Sequence, residues 1–319
     1  MTSATILMPN RMPDHVVASL SEAFDLRKAW EAPDPASFVR QVGPEIRGVA
    51  LGGHARVDGA FLDRLPKLEI LSSFGVGYDY IDAGEAGRRG VIVTNTPDVL
   101  TDEVADLTIA LLLATVRHIP QVDRYLRAGK WLEKPYPLTP TLRGRTIGIL
   151  GLGRIGKAVA RRLEGFGVTI AYHGRTKQPD VPYAFYPTLV GLAEAVDVLI
   201  SVAPGSAETD KIVNAEVFRA LGPTGMFVNV GRGSVVDEPA LVEALRSGTI
   251  LSAGLDVFTD EPRVPQDLID MDHVVLLPHV GSASVETRRA MGQLVVDNLV
   301  AWFAGKGPLT PVAETPYTR

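Results

Sequence analysis

Short apolar runs recur along this chain, separated by helix-like stretches. ATILM (4–8), GVALGG (48–53), EILSSF (69–74) and VIVTN (91–95) read as strands. HVVASLSEAF (15–24) and DGAFLDRL (58–65) read as helices between them. Such alternation predicts parallel strands with crossover helices. TDEVADLTIALLLATVRHIP (101–120) predicts one long helix, mostly apolar and so largely buried. A loop rich in Pro, Trp and Tyr follows, KWLEKPYPLTPTLRG (130–144). TIGIL (146–150) then opens a second block with strands VTIAY (168–172), VDVLISVA (196–203), MFVNV (226–230), SAGLDV (252–257) and HVVLLP (273–278).

The last long helix, VETRRAMGQLVVDNLVAWFAG (285–305), lies after the second block, yet the first block lacks a closing helix. The helix is therefore expected to cross back. That makes the first domain discontinuous, residues 1–99 plus 286–319, with a nucleotide domain inserted at 100–285. The length of 319 residues exceeds what one core usually serves and agrees with two domains.

The composition, 46% hydrophobic and 22% charged, is that of an ordinary soluble globular protein. A net charge of -5 and a pI near 5.7 argue against a general nucleic-acid binder. The lack of cysteine rules out disulfides, thiol catalysis and a thiolate metal site, and no metal is expected. The start, MTSATILMPN, shows no basic region followed by a long apolar core. Runs such as IALLLA (109–114) are too short to cross a bilayer, so a cytoplasmic protein with no membrane partner is expected.

GLGRIG (151–156) is a GxGxxG pattern directly after a strand and at the start of a helix. Gly151 permits the tight turn, Gly153 lets the backbone approach a pyrophosphate, and Gly156 allows close helix–strand packing. Exposed N–H groups and the helix dipole favour phosphate there. An acid about 20 residues on would bind the ribose 2′-OH of NAD. That position, in AYHGRTK (171–177), holds His173, followed by Arg175, Thr176 and Lys177. His173 does not repel a 2′-phosphate as a carboxylate would. Arg175 can pair with it and Thr176 can donate to it, while Lys177 reads as a bystander. The expected cofactor is NADP(H).

Three segments end strands of the second block with polar groups: VNVGRGSVVDE (228–238), GLDVFTDEP (254–262) and LLPHVGSAS (276–284). Ligands of open α/β sheets bind at the carboxyl ends of strands. A carbonyl reduction needs a group that gives the oxygen a proton, and His279 suits this. Glu261 is the candidate carboxylate for its other ring nitrogen. Arg232 is the candidate to hold a substrate carboxylate and polarise the carbonyl. The histidines at 15, 54, 118, 173 and 273 lack such company and read as surface or packing residues. In SSFGVGYDYID (72–82), a turn after a strand leaves the Val76 and Gly77 amides available for an anion such as a carboxylate.

Assembled, FGVGYDYID, GLGRIG, NVGRGSVVDE, GLDVFTDEP and LPHVGSAS resemble the D-2-hydroxyacid dehydrogenase family along nearly the whole chain. PDVLTDEVAD (97–106), AYHGRT and PHVGSAS carry a closer likeness to its NADPH-using glyoxylate/hydroxypyruvate reductases. The resemblance implies an α/β protein of two Rossmann-like or flavodoxin-like parallel-sheet domains with an interdomain active-site cleft. It implies catalytic Arg232, Glu261 and His279, and substrate contacts from Val76, Gly77, Arg232 and His279. It places the diphosphate on Arg154 and Ile155, Thr101 near the nicotinamide and Asp256 on its carboxamide. Pro204, Thr209, Val230, His279 and Gly281 complete the implied cofactor set.

The resemblance also implies a homodimer, with residues 101–145 embracing the partner and Trp131, Tyr136 or Leu138 reaching a neighbouring pocket. Asp106 stands where the family commonly has Glu, a conservative departure. The expected reaction is NADPH-dependent reduction of glyoxylate or hydroxypyruvate to a D-2-hydroxy acid. The alternatives are a bulkier acid, such as phenylpyruvate, 2-keto-gluconate or phosphoglycerate, and a nucleotide-sensing scaffold. No amino-acid regulatory domain is expected within these 319 residues.

Overall fold

Five of the strands, GVAL, ILSS, VLIS, MFVN and SAGL, are buried at every residue, as expected of parallel strands covered on both faces. A computed structural model describes residues 4–53 and 55–317, so His54 lies outside the described residues. The chain divides into two compact units, residues 1–100 with 284–319, and residues 101–283.

In the first unit, β1 (Thr5–Met8), β2 (Asp25–Lys28), β3 (Gly48–Leu51), β4 (Ile70–Ser73) and β5 (Ile92–Thr94) form a five-stranded sheet in the order β2-β1-β3-β4-β5. Every pairing is parallel. This is the flavodoxin-like order. Four helices belong to its connections: α1 (Asp14–Ala23), α2 (Pro35–Val42), α3 (Gly59–Leu62) and α4 (Ala83–Arg88). The edge strand β2, DLRK, is half-buried and polar, so no apolar run announces it.

In the second unit, α5 spans Thr101–Arg117 and α6 spans Ile119–Arg127. The single helix expected over 101–120 is thus broken. Pro120 has no N–H to continue the α5 hydrogen bonding, and its ring would clash with the preceding turn. His118 turns left-handed, at φ 54°, and starts α6 in a new direction. Seven parallel strands follow: β6 (Thr146–Leu150), β7 (Thr169–His173), β8 (Ala184–Phe185), β9 (Val198–Ser201), β10 (Met226–Asn229), β11 (Ser252–Leu255) and β12 (Val275–Leu276). Their order is β12-β11-β10-β9-β6-β7-β8. The direction of winding reverses between β6 and β9, the doubly wound dinucleotide-binding topology. Helices α7 (Arg154–Leu163), α8 (Leu189–Glu194), α9 (Ala215–Leu221), α10 (Glu238–Arg246) and α11 (Gln266–Asp270) connect the strands.

The last helix, α12 (Val285–Phe303), belongs to the first unit. Ser284 caps it by accepting the Thr287 N–H at 3.3 Å. Its Val295, Val296 and Leu299 pack with Ile6, Met8, Val16, Leu20 and Ile70 on one face of the five-stranded sheet. Gly292 lets α12 approach α1, since a Cβ there would meet His15 and Val16. Among the described residues no helix is long and apolar enough to cross a membrane.

Candidate active site

The glycine turn after β6 shows three separate reasons for glycine. Gly151 has φ +94° and faces the Ala203 backbone, so a side chain there meets both strain and a wall. A Cβ on Gly156 would collide with the Gly151 carbonyl, so this glycine seats α7 against the turn. Gly153 opens onto free space, and a Cβ there would meet no atom within 4 Å. No side chain caps the start of α7. The helix dipole favours an anion at this start, and Gly153 leaves its side of the turn open.

β7 ends in His173, whose carbonyl accepts the Gly151 N–H at 2.9 Å. Its Nδ1 lies 2.9 Å from the Tyr186 carbonyl, which fixes the ring. Arg175, Thr176 and Lys177 follow and are exposed. Gln178 closes the segment. Its N–H donates to the buried Tyr172 hydroxyl at 2.6 Å, and its Nε2 donates to the Leu152 carbonyl at 2.7 Å. The basic segment is thereby tied to the glycine turn. Sequence reading missed Gln178 because a lone polar residue in a loop carries no periodic signal.

A histidine–carboxylate pair forms in the segments that follow β11 and β12. His279 Nδ1 lies 2.6 Å from Glu261 Oε2, and both side chains are half-buried. The other Glu261 oxygen accepts the Phe258 N–H at 3.0 Å. His279 adopts φ 52°, a left-handed conformation a side chain resists. Asp256 holds it there. Its carbonyl accepts the His279 N–H at 2.8 Å, and its two carboxylate oxygens accept the Val280 and Gly281 N–H groups at 2.7 and 2.8 Å. Three successive amides on one residue over-determine the turn. Burial pushes the Asp256 carboxyl up, and the two amides and the nearby His279 act against that. Gly281 belongs to the same turn, where a Cβ would sit 3.1 Å from Asp256 Oδ2.

Arg232 follows β10 between two glycines required for space. A Cβ on Gly231 would meet the Ala203 backbone, and one on Gly233 would collide with the Phe258 and Thr259 backbone. Asn229 shapes this turn by accepting the Gly231 N–H at 3.1 Å and donating to the Arg232 carbonyl at 2.9 Å. The guanidinium Nη1 donates to the Gly231 carbonyl at 2.9 Å. A chain of contacts therefore joins the three residues: the Arg232 turn packs on Phe258, Phe258 donates to Glu261, and Glu261 pairs with His279. Asn229 was missed in the sequence, where it is one polar letter within MFVNV.

Val76 and Gly77 lie in the first unit, after β4, and the other expected residues belong to the second. Thr209 closes its loop by donating to the Pro204 carbonyl at 2.7 Å. The Val230 N–H donates to the Ser201 carbonyl at 3.1 Å. Thr101 opens α5, and Arg154 and Ile155 open α7. Asp106 pairs with Arg162 of α7 at 2.6 Å, which ties α5 to α7. The shorter acid thus keeps a structural partner. Among the described residues no cluster of three or more His, Asp or Glu could hold a metal ion.

The profile of the D-isomer specific 2-hydroxyacid dehydrogenase NAD-binding domain matches residues 109–281. The chain belongs to that family. This dehydrogenase is 46% identical over 312 residues to the glyoxylate/hydroxypyruvate reductase A of Arabidopsis thaliana, covering 98% of the chain and 100% of the relative. It is 47% identical over 312 residues to the hydroxyphenylpyruvate reductase of Plectranthus scutellarioides, with the same coverage. Among solved structures, it is similar to the NADPH-dependent glyoxylate/hydroxypyruvate reductase of Sinorhizobium meliloti in complex with NADP and malonate. That similarity has a TM-score of 0.93 and 51% identity, covering 100% of the dehydrogenase and 99% of its neighbour.

Proposed function

We propose that this chain reduces glyoxylate and hydroxypyruvate to D-2-hydroxy acids with NADPH. The observation that carries the reading is the 2.6 Å His279–Glu261 pair, held at the carboxyl ends of a dinucleotide-binding sheet and joined by contacts to the Arg232 turn. The names of the Arabidopsis and Sinorhizobium relatives support the substrate class.

NADPH, when bound, supplies the hydride. Glu261 holds the His279 proton on Nδ1, so Nε2 is the nitrogen that faces the reaction. From Nε2 the protonated ring gives its proton to the substrate carbonyl oxygen as the hydride reaches the carbon. Arg232 holds the substrate carboxylate and polarises the carbonyl. The Val76 and Gly77 amides are further donors assigned to that carboxylate. The Arg154 and Ile155 amides hold the diphosphate, and His173, Arg175 and Thr176 receive the 2′-phosphate. Thr101, Pro204, Thr209, Val230, Asp256 and Gly281 line the remainder of the cofactor. The unit of residues 101–283 is then the NADP-binding domain, and the other unit binds substrate.

A homodimer and a cytoplasmic location go with this reading. Ile119, Leu126, Trp131, Leu132 and Leu138 are exposed along α6 and the loop after it, an apolar surface suited to a second copy. A monomer mass by light scattering would contradict the dimer, and fractionation checks the compartment. A second reading, a bulkier 2-oxo acid, draws on the relative named hydroxyphenylpyruvate reductase.

Initial rates with glyoxylate, hydroxypyruvate, phenylpyruvate and 2-keto-gluconate, using NADPH and NADH separately, test these readings. Fast turnover of the first two with NADPH is expected. His279→Ala should lose about 10²–10⁴-fold in turnover while still binding NADPH. Arg175→Ala should weaken NADPH far more than NADH. Retained turnover in the first variant, or equal losses of the two cofactors in the second, would remove the assigned role.

A further inference from the structure

The turn at Gly75–Gly77 presents two amides, Val76 and Gly77, that donate to no other described residue. What aims them lies outside the turn. The Gly75 carbonyl accepts the Thr96 N–H at 2.9 Å. The Val76 carbonyl accepts the Asn95 side-chain Nδ2 at 2.9 Å. In a trans peptide the C=O and the following N–H point in opposite directions across one rigid plane. Holding the Gly75 carbonyl therefore aims the Val76 N–H, and holding the Val76 carbonyl aims the Gly77 N–H. The Val76 N–H thus points away from the Thr96 amide, and the Gly77 N–H away from the Asn95 side chain.

We infer that Asn95 is a positioning residue for substrate carboxylate: its side-chain amide orients the Val76–Gly77 peptide so that two N–H groups converge on one anion. The inference rests on the assignment of Val76 and Gly77 as carboxylate donors made above. Asn95 touches no substrate in this role. Its own placement is fixed in turn. Thr310 Oγ1 donates to the Asn95 carbonyl at 2.6 Å, and the Asn95 N–H donates to the Thr310 carbonyl at 3.3 Å. The fully buried Asn298 of α12 holds Thr310, accepting its N–H at 3.1 Å and donating to its Oγ1 at 3.0 Å. A hydrogen-bonded line thus runs from α12 through Thr310 and Asn95 to the anion-binding amides. Without the Asn95 donor, the Val76–Gly77 peptide is free to rotate, and one of the two amides loses its aim.

The test uses the full-length protein saturated with NADP⁺ and the non-reacting 2-oxo acid mimic oxamate. Asn95→Leu keeps the bulk and removes the donor. Thr310→Val loosens the same line one step back and serves if Asn95→Leu fails to fold. Calorimetry should show oxamate bound about tenfold more weakly by Asn95→Leu, the size expected for one lost hydrogen bond to an oriented peptide. Thr310→Val should weaken it less, by about threefold. NADPH affinity and melting temperature should stay near wild type, and the KM for glyoxylate should rise with kcat little changed. A loss of packing alone would instead lower stability without this selective loss.

Unchanged oxamate affinity in a folded variant overturns the inference, as does a wild-type protein that binds no oxamate. The turnover panel reports separately on the proposed activity. A wild type that reduces glyoxylate beside an Asn95→Leu variant with unchanged oxamate binding would sink the role of Asn95 alone.

Discussion

Two glycine turns of this chain follow strands and carry the proposed anion sites, yet they are built in opposite ways. The Gly151 turn makes itself. Its amides come from the uncapped start of a ten-residue helix, and Gly156 packs onto Gly151 within the same six residues. The Gly75 turn has no helix of its own to draw on. The next helix, α4, begins at Ala83, and Asp82 already caps it by accepting the Glu85 N–H at 2.8 Å. Its amides are aimed by residues 95 and 96, which Thr310 holds in place. One site is local and the other is assembled from distant parts of the chain.

Breaking the local turn should have the larger effect. Gly156→Val drives a side chain into the Gly151 carbonyl, and overpacking of about 1–3 kcal/mol corresponds to a loss of roughly fivefold to 150-fold in NADPH affinity. Fluorescence titration measures it; wild-type affinity would show that the turn tolerates expansion. Gly75→Ala should act more mildly, through strain at φ +155° rather than collision, because the nearest atom to its Cβ is 3.6 Å away. With no atom to displace, that strain falls at the lower end of about 1–3 kcal/mol. The expected signature is weaker oxamate binding with NADPH binding intact. If NADPH binding falls equally, the two turns are not independent.

The smallest effect separates the units without touching ligand. Burial, aided by Glu314, pushes Tyr78 of the first unit up to about 12. Burial, aided by Glu164, does the same for Tyr183 of the second, also to about 12. Both groups have folded values above the ordinary 10.0, so the stability they contribute is full below pH 10 and is lost as pH rises through 12. An ultraviolet titration of the native protein should include late steps from Tyr78 and Tyr183, and Tyr78→Phe should remove one of them. All tyrosines ionising together near 10 would contradict both environments.

The same contrast explains what could be read from the sequence. GLGRIG is readable because every reason for its glycines lies within the motif. The parallel strands are readable because burial on both faces leaves continuous apolar runs. The His279, Glu261 and Arg232 candidates stand out because each is a polar residue just beyond such a run. Asn95 and Gln178 do not stand out. Asn95 acts on a residue 19 positions earlier and is held from a residue 215 positions later. No local pattern encodes that distance. The break at His118 is readable in principle, since Pro120 stands in plain view, but the apolar periodicity carries the helix reading past it. The short crossover helices α2, α8, α9 and α10 have caps at Asp34, Thr188, Asn214 and Asp237 that announce their starts. Those caps, rather than apolar spacing, are the signal to follow in helices of six to nine residues.

The return of the last helix to the first unit sets an order on biosynthesis. A ribosome releases residues 101–283 as one uninterrupted stretch, so the nucleotide unit can fold while translation continues. The earlier-made first unit must wait. Until Val295, Val296 and Leu299 emerge, the sheet residues Ile6, Met8 and Ile70 lack the apolar cover they have in the finished chain. Truncation at the 3′ end of the message would therefore spare the unit in the middle of the chain and leave the one at its beginning unfinished.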